Sequence, residues 1–145
     1  MKISTKGRYG MRAMVDLAVH SGEGPILLKD IAKRQRLSER YLEQLALSLK
    51  AAGLVKSIRG ARGGFMLTKA PNEINLSEIF QVLEGSLGLV DCVDDPKSCS
   101  RVDCCVTHDI WQELKDGIVT ILNSKTLQDL ADQQAQKENK AMYYI

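Results

Sequence analysis

A mainly α fold is what this 145-residue chain predicts: a winged helix-turn-helix, meaning helices plus a two-stranded wing, followed by a long C-terminal helix. Three observations carry that expectation. Residues 28–53 hold a short one-sided helical segment, a break of three or four residues and a longer one-sided segment. Two strand-like runs joined by RGARG follow at once. Beyond residue 105, apolar side chains recur at spacings of three, four and three.

The elements follow in chain order. Ser4 or Thr5 offers an N-cap, Tyr9, Met14, Leu17 and Ala18 share one face, and Ser21-Gly22 stops the pattern, predicting a first helix over about 5–20. His20, at its end, has no ligand partner nearby in sequence and reads as a surface or capping residue. LKDIAKRQ, with Leu28, Ile31 and Ala32 on one side, is the second helix. Ser38 then caps a helix of about four turns that Gly53 ends. On that third helix Leu42, Leu45 and Leu49 form the inward stripe, and Arg40, Glu43, Gln44 and Leu47 lie opposite.

LVKSI and GFMLTKA read as the two wing strands, bounded by Pro71. The glycine-rich turn is not a Walker loop, because Phe65 and Met66 stand where Lys and Ser or Thr would be needed. Asn75 and Glu78 have capping-box spacing before a short helix with Leu76, Ile79, Val82 and Leu83 on one side. Trp111, Leu114, Ile118 and Ile121 then form the narrow seam of a helix over about 105–123, which suits a partner helix. The tail from about 125 is polar and glutamine-rich and ends on Met-Tyr-Tyr-Ile. It is expected to be mobile, or ordered only by a partner.

Composition narrows the function. At 16.1 kDa the chain holds one domain with a modest core. No stretch reaches the ~18 to 20 apolar residues that span a bilayer, and the N-terminus lacks an apolar signal core, so a cytoplasmic protein without membrane contact is expected. The net charge of +2 hides an asymmetry. Up to Lys69 there are 14 Lys and Arg against 5 Asp and Glu, a balance of +9, and beyond it the balance is −7. A basic half beside an acidic one fits a polyanion-binding module with a control region.

For duplex DNA the residue types are apt. A helix-turn-helix lays its second helix in the major groove, where Gln44 can pair with adenine, Glu43 can accept from cytosine and Arg40 can donate to guanine or phosphate. Arg59 and Arg62 stand on glycine-flanked backbone that can approach DNA closely. An enzyme is not expected, since an electron-transfer role for the cysteines would leave the basic winged half without a purpose and His20 lies far away in sequence.

All four cysteines and one of the two histidines fall in CVDDPKSCSRVDCCVTHD, residues 92–109. A disulfide framework, structural zinc and an iron-sulfur cluster are the three chemistries such a loop serves. A reducing compartment disfavours the first. Three thiolates with an imidazole suit tetrahedral zinc as well as iron, so the residues alone leave that pair open. On a helix Cys104 and Cys105 would both fall near the face of His108, so periodicity does not select between them either.

The stretches MKISTKGRYGMRAMVDLA, LSERYLEQL, LVKSIRGARGGF, VLEG and CVTHDIW together resemble a bacterial family of winged-helix regulators. That family includes IscR, the regulator of iron-sulfur cluster assembly, and CymR, the regulator of cysteine metabolism. The resemblance covers nearly the whole chain.

The resemblance implies a homodimer crossed at the long helix, reading a quasi-palindromic operator as repressor or activator. It divides the chain into a DNA-binding region (1–85), a cluster-binding loop (86–108), a dimerisation helix (105–124) and a tail (125–145). The DNA-contacting set becomes Ser38, Arg40, Tyr41, Glu43, Gln44, Arg59 and Arg62, with Glu43 and Gln44 on bases and Arg59 in the minor groove. The ligands of a [2Fe-2S] cluster become Cys92, Cys99, Cys105 and His108, with Cys105 selected over Cys104 by the Cys-x-Thr-His match.

Two features depart from the IscR pattern: one residue more between Cys92 and Cys99, and the extra Cys104. Zinc, a [4Fe-4S] cluster and the sensing of nitric oxide or redox state are the alternatives on the metal side. On the partner side, Tyr143-Tyr144-Ile145 is similar to the tail of CymR, whose relatives dock with cysteine synthase.

Overall fold

The computed structural model of the chain describes residues 2–144. Its elements run α1 (Thr5–Val19), α2 (Leu28–Gln35), α3 (Glu39–Ala51), β1 (Val55–Ile58), β2 (Gly64–Leu67), α4 (Leu76–Glu84), α5 (Asp91–Asp94), α6 (Val106–Asn123) and α7 (Leu127–Tyr143), with short 3-10 turns between some of them. The mainly α winged helix-turn-helix expected from the sequence is the fold observed.

Local chemistry sets the boundaries. Ser4 and Ser38 each cap their helix by accepting a backbone N–H three residues on, from Gly7 at 3.0 Å and Tyr41 at 3.1 Å. Asn75 and Glu78 close the expected capping box at α4. Arg36 ends α2 in the left-handed region, φ 55°, and Leu37 N–H donates to Ala32 O at 2.9 Å. That backbone bond closes the turn between α2 and α3, and Arg12 of α1 also donates to the Gln35 carbonyl at the end of α2.

The core sits where α1, α2, α3 and α4 converge. Met14, Ile31, Leu42, Leu45, Ile74, Ile79 and Leu127 are its fully buried large side chains. At α4 the approach to α1 is close: a Cβ on Gly10 would lie 2.5 Å from Leu83 Cδ2, so only glycine admits that leucine without a shift. One charged residue is buried in this region, Asp16 at 4% exposure. Arg34 grips it with both ends of its guanidinium, at 2.6 and 3.0 Å, and Gln35 donates to it at 2.9 Å. That fork ties α1 to α2 and raises the Arg34 pKa above its ordinary value, chiefly through the hydrogen bond to Asp16.

The wing is an antiparallel pair with Val55 opposite Leu67 and Ile58 opposite Gly64. Ile26 adds a bridge on the far side of β2, exchanging N–H···O bonds with Phe65 at 2.8 and 2.7 Å. Gly64, at φ 151°, makes this possible, since a Cβ there would meet the Ile26 carbonyl oxygen at 2.5 Å.

The tail departs from expectation. Residues Leu127–Tyr143 are a helix, packed on α1, with Leu127 and Ala131 buried. A capping box of Thr126 and Asp129 starts it, and Leu127 N–H donates to Ile74 O at 2.8 Å, fastening it beside α4. Its exposed end comprises Met142, Tyr143 and Tyr144; Ile145 lies outside the described residues.

Candidate nucleic-acid interface and cysteine site

Burying Leu42, Leu45 and Leu49 turns the other face of α3 outward. Arg40, Glu43 and Gln44 are exposed there, with Leu47 beside them at 67% exposure. Tyr41 also makes a packing contact. It is half-buried, its ring meeting Tyr9 edge-on at 6.1 Å and 88°, while Arg8 and Arg12 lie 5.4 and 5.3 Å from the Tyr9 ring centre. Tyr41 therefore fixes α3 against α1, a packing task that a wheel of α3 alone does not display.

At the wing tip Arg59 and Arg62 are both exposed. Gly63 N–H donates to Gly60 O at 3.0 Å, closing the turn that carries them. The wing is held to α3 by Lys50 Nζ on Ser57 Oγ at 2.8 Å and by Thr68 Oγ1 on Gly53 O at 2.6 Å. Helix and wing thus form one surface with a fixed spacing between its two groups of polar side chains.

The cysteines follow α4 in the chain. Cys92 is in α5, Cys99 follows a 3-10 turn, Cys104 ends another, and Cys105 is the N-cap of α6. All four are free thiols. Cys92 Sγ and His108 Nδ1 approach to 3.3 Å across sixteen residues of sequence. Cys99 and Cys105 are not gathered with them, and among the described residues no three or more His, Cys, Asp or Glu side chains form a group that could hold a metal ion.

The helical-face ambiguity between Cys104 and Cys105 also dissolves, because α6 begins only at Val106. Cys104 Sγ points back to Arg101 O at 3.5 Å, whereas Cys105 Sγ meets Thr107 Oγ1 at 3.1 Å. That hydroxyl, and next the His108 backbone N–H, hold the Cys105 thiol below its ordinary pKa.

Two residues that sequence reasoning passed over complete the site. Asp94, two residues after Cys92, accepts from Lys115 Nζ at 3.0 Å and from the Ser86 hydroxyl. First the Ser86 bond and then Lys115 hold its carboxyl below the usual carboxylate range. The only signal in the sequence is that Lys115 stands two helical turns beyond His108, which matters only once α5 is known to lie on α6.

The polar fringe around these groups is matched by an apolar one. None of the 18 residues of α6 is buried, although Ile110 is 44%, Leu114 41% and Ile121 61% exposed along one side. Among the described residues no helix is long and apolar enough to cross a membrane.

Comparison with known proteins agrees with this geometry. The model of the Rrf2 family, described as an iron-dependent transcriptional regulator, matches residues 3–133. The HTH-type transcriptional regulator CymR of Bacillus subtilis is 45% identical over 145 residues, all of both chains. The HTH-type transcriptional regulator IscR of Pectobacterium atrosepticum is 42% identical over 132 residues, 91% of this chain and 80% of that one. The solved structure of T. potens IscR superimposes with a TM-score of 0.76 at 47% identity, covering 92% of this chain and 88% of that one. These relatives are regulators rather than enzymes, in keeping with a site that offers a reading helix and a wing. On the strength of that shared fold and of a match along almost its whole length, the chain belongs to the Rrf2 family of transcriptional regulators.

Proposed function

We propose that the protein binds operator DNA as a homodimer and that a [2Fe-2S] cluster on Cys92, Cys99, Cys105 and His108 sets its DNA binding or operator choice, controlling iron-sulfur cluster assembly genes. The observation that carries this reading is the 3.3 Å approach of Cys92 to His108. It joins the two ends of a loop that separates the winged half from α6.

The donor chemistry fits. Three thiols free of disulfides and one imidazole lie within seventeen residues, on short turns and a helix start rather than in a packed core. When bound, such a cluster supplies a redox-labile group whose presence depends on iron and sulfide supply. The chain's own residues do the rest. α4 leads from the winged half into the loop and α6 leads out of it, so a loop drawn together on its ligands acts on both. Glu43 and Gln44 read base edges, Arg40 and the Ser38 end of α3 sit at phosphates, and Tyr41 holds the helix in register. Arg59 and Arg62 reach into or along the minor groove. The uncovered apolar side of α6 takes a second copy of the chain, which sets two reading heads at a fixed separation.

Anaerobic protein supplied with iron and sulfide should be coloured and carry about two irons per chain with matching sulfide. Replacing Cys92, Cys99 or Cys105 by Ala should abolish the colour, whereas Cys104→Ala should largely spare it. His108→Cys should keep a cluster at lower potential, because thiolate favours the oxidised irons more than imidazole does. A colour indifferent to Cys105 and dependent on Cys104 would reverse the ligand assignment.

A second reading follows from the other end of the chain. The match to CymR spans all of both proteins, and Met142, Tyr143 and Tyr144 stand 76%, 87% and 91% exposed. An exposed apolar terminus is a recognised handle for capture by a partner such as cysteine synthase, which would make the protein a regulator of cysteine metabolism. Binding of that enzyme to the full chain, and its loss on removing residues 142–145, is the test.

A further inference from the structure

Helix α5 has four residues, too few to hold a position by its own hydrogen bonds, yet it carries Cys92. Something outside it must place that thiol. Val93 is buried and supplies apolar contact, but a single valine does not fix rotation.

Polar contacts do so at two points. Cys92 Sγ meets His108 Nδ1 at 3.3 Å and Asp94 accepts from Lys115 Nζ at 3.0 Å. His108 and Lys115 are seven residues apart, hence on one face of α6 and about 10 Å apart along it. Cys92 and Asp94 of α5 are each tied to one of these two points, so α5 cannot turn about one contact without breaking the other. A third bond holds the carboxylate from behind, since the Ser86 hydroxyl donates to it and Gly88 N–H donates to Ser86 Oγ at 3.0 Å. A Cβ on Gly88 would lie 2.5 Å from both Asp94 carboxylate oxygens, so a larger residue there would push the carboxylate aside. The Lys115 and Asp94 side chains are 27% and 34% exposed, so water screens the pair in part and the Ser86 bond adds to its hold.

We propose that the Asp94–Lys115 pair, backed by Ser86 and Gly88, is a positioning latch that holds Cys92 against His108. Neither residue is a ligand; both act through Cys92. The latch rests on the reading of Cys92 and His108 as ligands only for its purpose, since its geometry is present without any bound group.

The test uses the full chain with Lys115→Met, which removes the charge and keeps the stem, and Lys115→Arg, which keeps the charge. In apo protein the alkylation of each cysteine by iodoacetamide is followed by mass spectrometry. In protein loaded anaerobically with iron and sulfide, the half-life of the colour under a chelator is followed instead. Lys115→Met should speed alkylation of Cys92, leave Cys99 unchanged, and shorten the half-life of the colour. Each change should be about two- to fivefold, the scale of one partly exposed ion pair. Lys115→Arg should restore both, and thermal melting should be the same for all three proteins. Wild-type alkylation rates at Cys92 in Lys115→Met, or a loss in Lys115→Arg as large as in Lys115→Met, would overturn the latch. A wild-type chain that takes up no cluster would sink the ligand reading alone, and the alkylation rates would still decide the latch.

Discussion

At the level of single residues, the proposed function separates side chains that would read DNA from side chains that aim them. Arg59 is exposed on a closed turn, so in the account its only partner is DNA. Arg59→Ala should cost about 1 to 3 kcal/mol of operator affinity if the side chain enters a narrow groove, measured by fluorescence anisotropy. A loss well below that range would place it at the rim. Glu43→Ala should act differently, changing the rank order of operator variants rather than lowering all affinities equally. The types and places of these residues were legible in the sequence because a three-leucine stripe defines the opposite face. The use of Tyr41 against Tyr9, and of Asp94 against Lys115, was not, since each pair joins elements whose packing the local pattern leaves open.

The elements themselves were legible wherever a cap and a period coincided. Ser4, Ser38 and the Asn75–Glu78 box mark three helix starts correctly. The tail shows where that reading stops. LQDLADQQAQ offers only Leu127, Leu130, Ala131 and Ala135 as apolar residues, too little periodicity to outweigh its glutamines, yet Leu127 ends fully buried. The helix is held by packing on α1 and on the 3-10 turn Pro71–Glu73 before α4, which composition does not reveal. Leu127→Ala should therefore lower unfolding stability by about 2 to 5 kcal/mol in denaturant titration, as for a core leucine, where a mobile tail would give almost no change. On α6 the uncovered apolar side makes the opposite forecast. Ile121→Glu should leave the fold intact and shift the protein from dimer to monomer in sedimentation, and a variant that stays dimeric at micromolar concentration would move the interface elsewhere.

For the molecule as a whole, the proposed function makes the basic half and the cysteine loop two ends of one device, joined through α4 and α6. The charge asymmetry was visible at once in the sequence. The proposed ligand set was legible only through resemblance, since the four residues lie on separate short turns and a helix start and only Cys92 and His108 are in contact. The central claim is that cluster occupancy sets operator binding, and one measurement addresses it directly. A duplex selected from a random pool by the anaerobic protein is titrated with that protein before and after a chelator strips it, with the optical spectrum recorded on the same samples. The account predicts coloured protein with about two irons per chain whose affinity for that duplex changes by at least about tenfold, or whose preferred sequence changes, when the colour is lost. Colourless protein holding one zinc after iron-replete anaerobic preparation, or coloured protein that binds the duplex equally well once stripped, would contradict it.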